Sequence, residues 1–272
     1  RPLAEWRREN INKMVYRIYD WVKSVKPWIQ VSSSPLGKYN RIERVPNAGW
    51  TAYESVFQDP KMWMQNGKQD MIVPMMYYLH DNFFPFVDNW VDNCNGRLVV
   101  PGLGAYRMLK EEADWTVNDI TDQIDYSRYY GGAGCTFFRC ANILDNTKGI
   151  YDELKDKYYK YPAQLPPLSW LDDTVPAAPE EIRVEKEGDE LKLSWQKPDS
   201  EKDVLTYTCL LFANGFDQSD IRPKYLDDRN PGYLHLSACR YDFGAGIYIF
   251  RFIFLSLSYR KRAIERNLLL SF

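Results

Sequence analysis

Four short apolar segments alternate with helical segments along the first 160 residues. The clearest, residues 70–78 (DMIVPMMYY), is apolar almost throughout, which is typical of a strand buried on both faces. The predicted strands cover 27–33, 70–78, 97–101 and 133–140, and the predicted helices cover 7–25, 53–66, 83–91, 116–130 and 148–159. Strands joined by helices run parallel, so the sequence predicts an α/β fold. Periodicity alone leaves open a doubly wound sheet or half of an eight-stranded barrel.

Proline and glycine mark the ends of several of these elements. Pro27 ends the first helix, and Pro60 kinks or splits the second. Gly67 fits the C-terminal cap of that second helix. Thr116, with Asp119 three residues later, is the pattern of a helix N-cap.

A proline-rich linker, residues 161–179, separates residues 1–160 from a second module. Five prolines in this segment are incompatible with regular structure. Beyond it, residues 181–187 and 190–196 alternate in polarity around a Gly-Asp turn, which predicts a β-hairpin, and residues 205–212 predict a third strand. The sequence therefore predicts a small β module over 180–272.

Composition excludes several classes of function. The net charge of -2 gives no global field that would favour nucleic acid. The two histidines and five cysteines form no zinc motif, so we expect no metal site, and the cysteines are expected to be buried free thiols. Gly102 and Gly104 are followed by Arg107 where a dinucleotide motif has its third glycine, so no nucleotide cofactor is expected.

Several short motifs carry a resemblance to a known family. Two motifs of that family are similar to residues 6–10 (WRREN) and to residues 34–37 (SPLG) followed by Asn40. Further matches in order along the chain are Tyr53, Asp59, Trp63, Gly67, Asp70, Pro74, Tyr77, Trp90, Gly102 and Tyr106. On these residues, 1–173 resemble the C-terminal half of the glycosyl hydrolase-like family 10 proteins of bacteria.

This resemblance implies the C-terminal half of a (β/α)8 TIM barrel, with strands five to eight present. It implies a glycoside hydrolase-like protein acting on polysaccharide, with peptidoglycan glycan strands as one candidate substrate. The main catalytic acids would lie in the other half of the barrel, so this incomplete chain is expected to be inactive alone. Family members are secreted, periplasmic or anchored to the outer membrane.

A second resemblance concerns the region after the linker. Residues 176–179 and 193–198 (LSWQKP) are similar to the opening of a fibronectin type III module, a β-sandwich of about seven strands. The resemblance ends near residue 212. Because residues 247–272 do not alternate as such strands do, we hypothesise a shifted reading frame in this tail.

The candidate catalytic residues follow the strand at 70–78. Active-site residues of a barrel lie at the carboxyl ends of its strands, and glycoside hydrolysis generally needs two carboxylates. His80 and Asp81 are the best acid and base candidates at such an end, although Asp81 could instead cap the helix at 83–91. Asp70 begins its strand at the opposite end and is expected to be structural.

The candidate substrate-binding residues lie at the same strand ends. They are Ser34, Tyr77, Tyr78, Tyr106, Arg107, Arg139 and Asn142. Ser34 could instead serve a turn before Pro35, and only one of Tyr77 and Tyr78 should face the sugar, because neighbours on a strand point oppositely. Arg139 could bind a ligand or pair with a buried carboxylate. Met75 replaces a glutamine common in the family, which removes one sugar-binding amide.

Two further expectations concern what the chain does as a whole. A polysaccharide or oligosaccharide is the expected partner, and the alternative to an enzyme is a noncatalytic glycan-binding or scaffold remnant. Half a barrel would leave the edges of strands five and eight unpaired, and such edges favour self-association.

Overall fold

The structure, a computed structural model, describes residues 2–160, 166, 168–171, 180–187, 190–196, 204–210, 253–258 and 268–270. The chain divides into two compact units, Arg1–Ala163 and Gln164–Phe272. The boundary between them falls within the proline-rich segment.

The first unit opens with a helix and then alternates strands with helices. The helices are α1 (Leu3–Val25), α2 (Ala52–Ser55), α3 (Pro60–Gln65), α4 (Phe84–Asp92), α5 (Val117–Tyr129), α6 (Cys140–Leu144) and α7 (Ile150–Glu153). The strands are β1 (Ser32–Ser33), β2 (Met71–Ile72), β3 (Leu98–Val99), β4 (Gly102–Leu103) and β5 (Thr136–Phe137). Short 3-10 helical turns cover His80–Asn82, Ala105–Met108 and Thr147–Gly149, and a π-helix covers Leu154–Tyr158.

The strands of this unit pair in parallel and in chain order. β2 lies between β1 and β3, and β4 pairs with β5. Parallel bridges from Met75 to Leu36 and to Gly102 extend the ladder towards the carboxyl ends of the strands. The predicted α/β fold is therefore confirmed, whereas the half-barrel remains a prediction.

Several helices begin or end where local sequence signals predicted it. Pro60 splits the second predicted helix into α2 and α3. Gly67 follows α3 in the left-handed region, at a φ of 65°. Thr116 and Asp119 form a capping box at the start of α5, as their spacing indicates.

Two segments differ from their predictions. Gly102–Leu103 lies just beyond the predicted third strand, 97–101, but forms β4, because a glycine there lets the backbone approach the carbonyl of Pro74, only 3.0 Å from an ideal Cβ. The predicted helix 148–159 begins only at Ile150, because Lys148 and Gly149 adopt left-handed backbone conformations, and it continues as a π-helix over Leu154–Tyr158. The helix α6 was not predicted.

The core of the first unit lies between the strands and one layer of helices. Its large buried side chains include Ile72, Met76, Leu103, Trp63, Phe86, Trp90, Ile120 and Ile124. Along residues 71–76 the even positions are buried and the odd positions are only half-buried. The prediction of burial on both faces of this strand is therefore wrong for the described chain, because helices cover one face only.

The second unit contains antiparallel strand pairs. Its strands are β6 (Glu180–Glu187), β7 (Glu190–Gln196), β8 (Val204–Leu210), β9 (Ile253–Ser258) and β10 (Leu268–Leu270). β6 pairs with β7, which confirms the predicted hairpin; β7 also pairs with β10, and β8 pairs with β9. The Gly-Asp turn, residues 172–179 of the linker and most of the tail lie outside the described residues. The fibronectin type III-like module and the shifted frame therefore remain predictions.

A buried carboxylate anchors the amino ends of the strands. Asp70 is fully buried; it accepts hydrogen bonds from Tyr19 Oη at 3.0 Å and the Val31 backbone N–H at 2.8 Å, and it pairs with Lys23 Nζ at 2.7 Å. Burial, together with this carboxylate, raises the pKa of Tyr19 above its usual value. Asp70 thus joins α1 to β2, which is the structural role expected for it.

At the other end of the strands, Gly37 lies against the neighbouring backbone. An ideal Cβ on Gly37 would lie 2.3 Å from the carbonyl oxygen of Met75. The carbonyl oxygen of Gly37 also accepts a hydrogen bond from Trp90 Nε1 at 2.7 Å. Only glycine permits this approach of the segment after β1 to the segment after β2.

We expect Asp70→Ala to destabilise the first unit by about 3 kcal/mol, because the partly buried Lys23 would lose its counter-ion, and Tyr19 and the Val31 N–H would lose their acceptor. Asp70→Asn, which keeps the shape and an acceptor oxygen, should cost less. Urea unfolding followed by circular dichroism measures both. An equal loss for the two variants would contradict the role of the ion pair.

We expect Gly37→Ala to cost about 3 kcal/mol, because the new methyl group must push two strands apart. Gly49→Ala is the matched control: its φ of 71° is strained for alanine, but no atom lies within 4 Å of an ideal Cβ, so it should cost only about 1 kcal/mol. The same unfolding measurement ranks the two variants. If Gly49→Ala were the more damaging, the close approach at Gly37 would not be limiting.

Candidate functional site

Three aromatic rings meet where the strands end. The ring of Tyr77 stacks on that of Phe138 with centroids 5.5 Å apart, and Tyr106 meets both rings edge-on at 5.7 and 5.5 Å. We call Tyr77, Tyr106 and Phe138 the aromatic trio. Its members follow three different strands, so parallel pairing brings them to one edge.

Backbone contacts fix the position of the aromatic trio. The backbone N–H of Tyr106 donates to the carbonyl of Phe138 at 3.0 Å. Gly104 lets the chain pass close to Tyr77, since an ideal Cβ on this glycine would lie 3.1 Å from Tyr77 Cβ. Burial and the neighbouring Tyr106 raise the pKa of the Tyr77 hydroxyl.

Tyr78 lies in different surroundings from Tyr77. Its ring faces the ammonium of Lys38 at 4.7 Å, and its carbonyl accepts a hydrogen bond from Gln123 Nε2 at 2.8 Å. Burial raises the pKa of Tyr78, and the nearby Arg107 opposes this effect. Of the two neighbours, Tyr77 is the one that joins the aromatic trio.

The two candidate arginines differ in their exposure. Arg107 is half-buried, with its guanidinium 5.2 Å from the ring of Tyr106. Arg139 directly follows Phe138 and is exposed. Among the described residues Arg139 forms no ion pair, so the alternative of a buried carboxylate partner is not realised there.

Asn142 and Ser34 have opposite hydrogen-bonding states. Asn142 lies on α6 with its side chain buried, and its Oδ1 has no donor within the described part of the chain. The hydroxyl of Ser34 donates to the carbonyl of Val73 at 2.7 Å and so links two strands. The oxygen of this hydroxyl can still accept a hydrogen bond from a ligand.

The candidate acid and base occupy the tight turn His80–Asn82. Both His80 and Asp81 are exposed, and His80 has a φ of 49°. The alternative prediction for Asp81 is wrong: α4 has Phe83 as its N-cap residue and no side-chain cap. The turn lies on the same strand connection as Tyr77.

One residue of this region, Lys38, was missed by sequence reasoning. Its side chain is only 4% exposed, and its ammonium donates to the Ala48 carbonyl at 2.8 Å and to Asn82 Oδ1 at 2.6 Å. Burial lowers the pKa of Lys38. A single lysine after a turn has no pattern that distinguishes it from a surface residue, so no sequence signal could have found it.

Within the described residues, no group of three or more His, Cys, Asp or Glu side chains could hold a metal ion, and no helix is long and apolar enough to cross a membrane. Cys94, Cys135 and Cys140 are free thiols, and Cys140 is exposed rather than buried as expected. Burial raises the pKa of Cys135 to about 11.

Comparison with known proteins agrees with the resemblance seen in the motifs. Residues 2–91 match the family model Glycosyl hydrolase-like 10. The glycosyl hydrolase YngK of Bacillus subtilis (strain 168) is 27% identical over an alignment of 230 residues, and the match covers 78% of this chain and 45% of that protein. The glycosyl hydrolases DigH of Escherichia coli (strain K12) and Shigella flexneri are each 26% identical over an alignment of 140 residues, and the match covers 45% of this chain and 32% of theirs.

These matches support a glycosidase-like protein related to the Glycosyl hydrolase-like 10 family. The chain spans less than half the length of the relatives that it matches. The segment that matches the family model, residues 2–91, runs from α1 into α4. It includes Gly37, which lies against Met75, and the turn that holds His80 and Asp81.

Proposed function

We propose that the carboxyl ends of the strands bind a polysaccharide through the aromatic trio. A flat ring covers the apolar face of a sugar, while hydroxyl groups at its edge can hydrogen-bond. Phe138 is 50% exposed, so a ring face of the trio is open to solvent. This open ring, held by two neighbouring rings, is the observation that carries the proposal.

Polar groups around the trio would bind the sugar hydroxyls. Arg139, the exposed residue after Phe138, offers five guanidinium donors, and the guanidinium of Arg107 lies 5.2 Å from the ring of Tyr106. An oligosaccharide with a carboxylate would also suit these arginines. Ser34, Tyr78 and Asn142 would be supporting contacts, whereas the aromatic trio and the two arginines would be the main ones.

For the reaction, we propose O-glycosyl hydrolysis with Asp81 and His80 in a subsidiary role. Hydrolysis generally needs a second carboxylate about 5–10 Å from the first. We propose that the main catalytic acids lie in a part of the protein that corresponds to the unmatched length of the relatives. On this account the present chain binds glycan without cleaving it.

Four finer proposals come from the family resemblance. The first unit would be half of a (β/α)8 barrel, and the strands of the second unit would belong to a fibronectin type III-like module. Peptidoglycan glycan strands would be the substrate. The whole protein would be secreted, periplasmic or anchored to the outer membrane. A noncatalytic glycan-binding or scaffold remnant is the alternative function, and it would share the same aromatic trio.

We also propose that the chain associates with itself through its strand edges. Among the described strands, β1 pairs only with β2, and β5 pairs only with β4, which leaves one edge of each without a partner. Helix α1 also carries exposed apolar side chains, including Met14, Ile18 and Val25. Open edges and exposed apolar surface both favour association.

The test is oligosaccharide binding measured by isothermal titration calorimetry, with chitooligosaccharides and purified peptidoglycan glycan strands as ligands. Tyr77→Ala should weaken binding about five- to tenfold, because a ring contact contributes about 1 kcal/mol. Tyr77→Phe should retain most of the affinity. Tyr129→Ala, which removes an 85% exposed tyrosine from α5, is the matched control and should have no effect.

Two results would contradict the proposal. One is a wild-type chain that binds neither ligand. The other is a Tyr77→Ala variant that binds as well as wild type. Because Tyr77 is half-buried, thermal unfolding should accompany the titrations, and Arg139→Ala provides a second, exposed position whose loss should also weaken binding.

A further inference from the structure

The loop that follows β1, residues 38–52, is tied together by Lys38. The backbone carbonyl of Lys38 accepts a hydrogen bond from the Ala52 N–H at 2.8 Å, and its ammonium donates to the Ala48 carbonyl at 2.8 Å. Lys38 thus bonds both Ala52, at the end of the loop, and Ala48, in its last turn. We call residues 38–52 the clamped loop.

The ammonium of Lys38 also fixes the clamped loop to the neighbouring strand connection. It donates to Asn82 Oδ1 at 2.6 Å and lies over the rings of Tyr78 and Phe86, at 4.7 and 5.2 Å. No carboxylate pairs with it among the described residues. A buried charge is costly without such contacts, so the ammonium is confined to this one position.

The clamped loop displays one large apolar side chain to solvent. Ala48 is buried and Thr51 is fully buried, whereas Trp50 between them is 73% exposed. Gly49, at a φ of 71°, reverses the chain between the buried and exposed positions. Thr51 then caps α2 by accepting the Glu54 backbone N–H at 3.3 Å. The indole therefore projects from a backbone fixed on both sides, which lowers the entropy lost on binding.

The clamped loop starts at the carboxyl ends of the strands, where the aromatic trio lies. It begins directly after Gly37, whose backbone touches Met75, and Met75 is two residues before Tyr77. Lys38 contacts Tyr78, the neighbour of Tyr77. The clamped loop is therefore attached to the carboxyl ends of the same strands that position the aromatic trio.

We propose that Trp50 is a second stacking position for the glycan, which binds a sugar unit beyond those held by the aromatic trio. The ligand is an oligosaccharide of at least several units, with the apolar face of one pyranose ring on the indole. This inference rests on the proposed function, because it assigns a further contact to the same polysaccharide. Aromatic platforms of this kind favour long ligands over short ones.

A matched tryptophan exists at the opposite end of the fold. Trp21 is 69% exposed on α1, close to the exposure of Trp50. Its helix reaches Asp70 at the amino ends of the strands through Tyr19 and Lys23, at 3.0 and 2.7 Å. Trp21→Ala therefore removes the same amount of exposed ring far from the proposed ligand.

The experiment compares wild type, Trp50→Ala, Trp50→Phe and Trp21→Ala by calorimetry with chitobiose and chitohexaose. Trp50→Ala should weaken hexasaccharide binding about tenfold and leave disaccharide binding nearly unchanged. Trp50→Phe should retain most of the affinity because a ring remains. Trp21→Ala should bind both ligands as wild type does, and thermal unfolding should show all variants folded, since both indoles are exposed.

The outcomes separate this inference from the proposed function. Wild-type binding that Tyr77→Ala weakens and Trp50→Ala does not would overturn the role of Trp50 alone. An equal loss for Trp50→Ala and Trp21→Ala would also overturn it, because the effect would not depend on position. A wild-type chain that binds no oligosaccharide would overturn both.

Discussion

The backbone around Met75 joins the central strand to both of its neighbours. The Met75 N–H donates to the Pro35 carbonyl at 2.9 Å, and the next N–H, of Met76, donates to the Gly102 carbonyl at 2.9 Å. These bonds run between parallel chains, so every strand connection that follows them starts from the same edge. Glycine is required at 37, where an ideal Cβ would lie 2.3 Å from the Met75 carbonyl oxygen, and at 102 an ideal Cβ would crowd the Pro74 carbonyl oxygen at 3.0 Å. The geometry of the candidate site depends on this pairing.

The two ends of the strands have different tasks. At the amino ends, the buried carboxylate of Asp70 holds α1 and β2 together, and its partners are all parts of the fold. At the carboxyl ends, the aromatic trio, the turn with His80 and Asp81, and the clamped loop leave ring faces and polar groups open to solvent. Where parallel strands are connected by helices, ligand-binding residues usually lie at the carboxyl ends and stabilising residues at the amino ends, and the binding site that we propose follows this division. It also explains why the trio is assembled from residues far apart in the chain.

Sequence reasoning succeeded where the deciding interaction is local. The capping box at Thr116, the split at Pro60 and the β6–β7 hairpin are each specified by a few neighbouring residues, and each was predicted. It failed where the partner is distant: β4 forms because Gly102–Leu103 meets Thr136–Phe137, and Lys38 is buried because two other segments enclose it. Tyr77 and Tyr106 were named as binding residues from their places at strand ends, but Phe138, which completes the trio, was only part of the predicted strand 133–140.

The central claim is that one edge of the parallel strands holds a glycan. Hydrogen–deuterium exchange of the whole chain, with and without chitohexaose, tests it without any substitution. The account predicts slower exchange on binding in the backbone segments around Tyr77, Tyr106 and Phe138 and in residues 38–52, with no change at the amino ends of the strands near Asp70. Protection confined to the amino ends, or to the exposed face of α1, would contradict it.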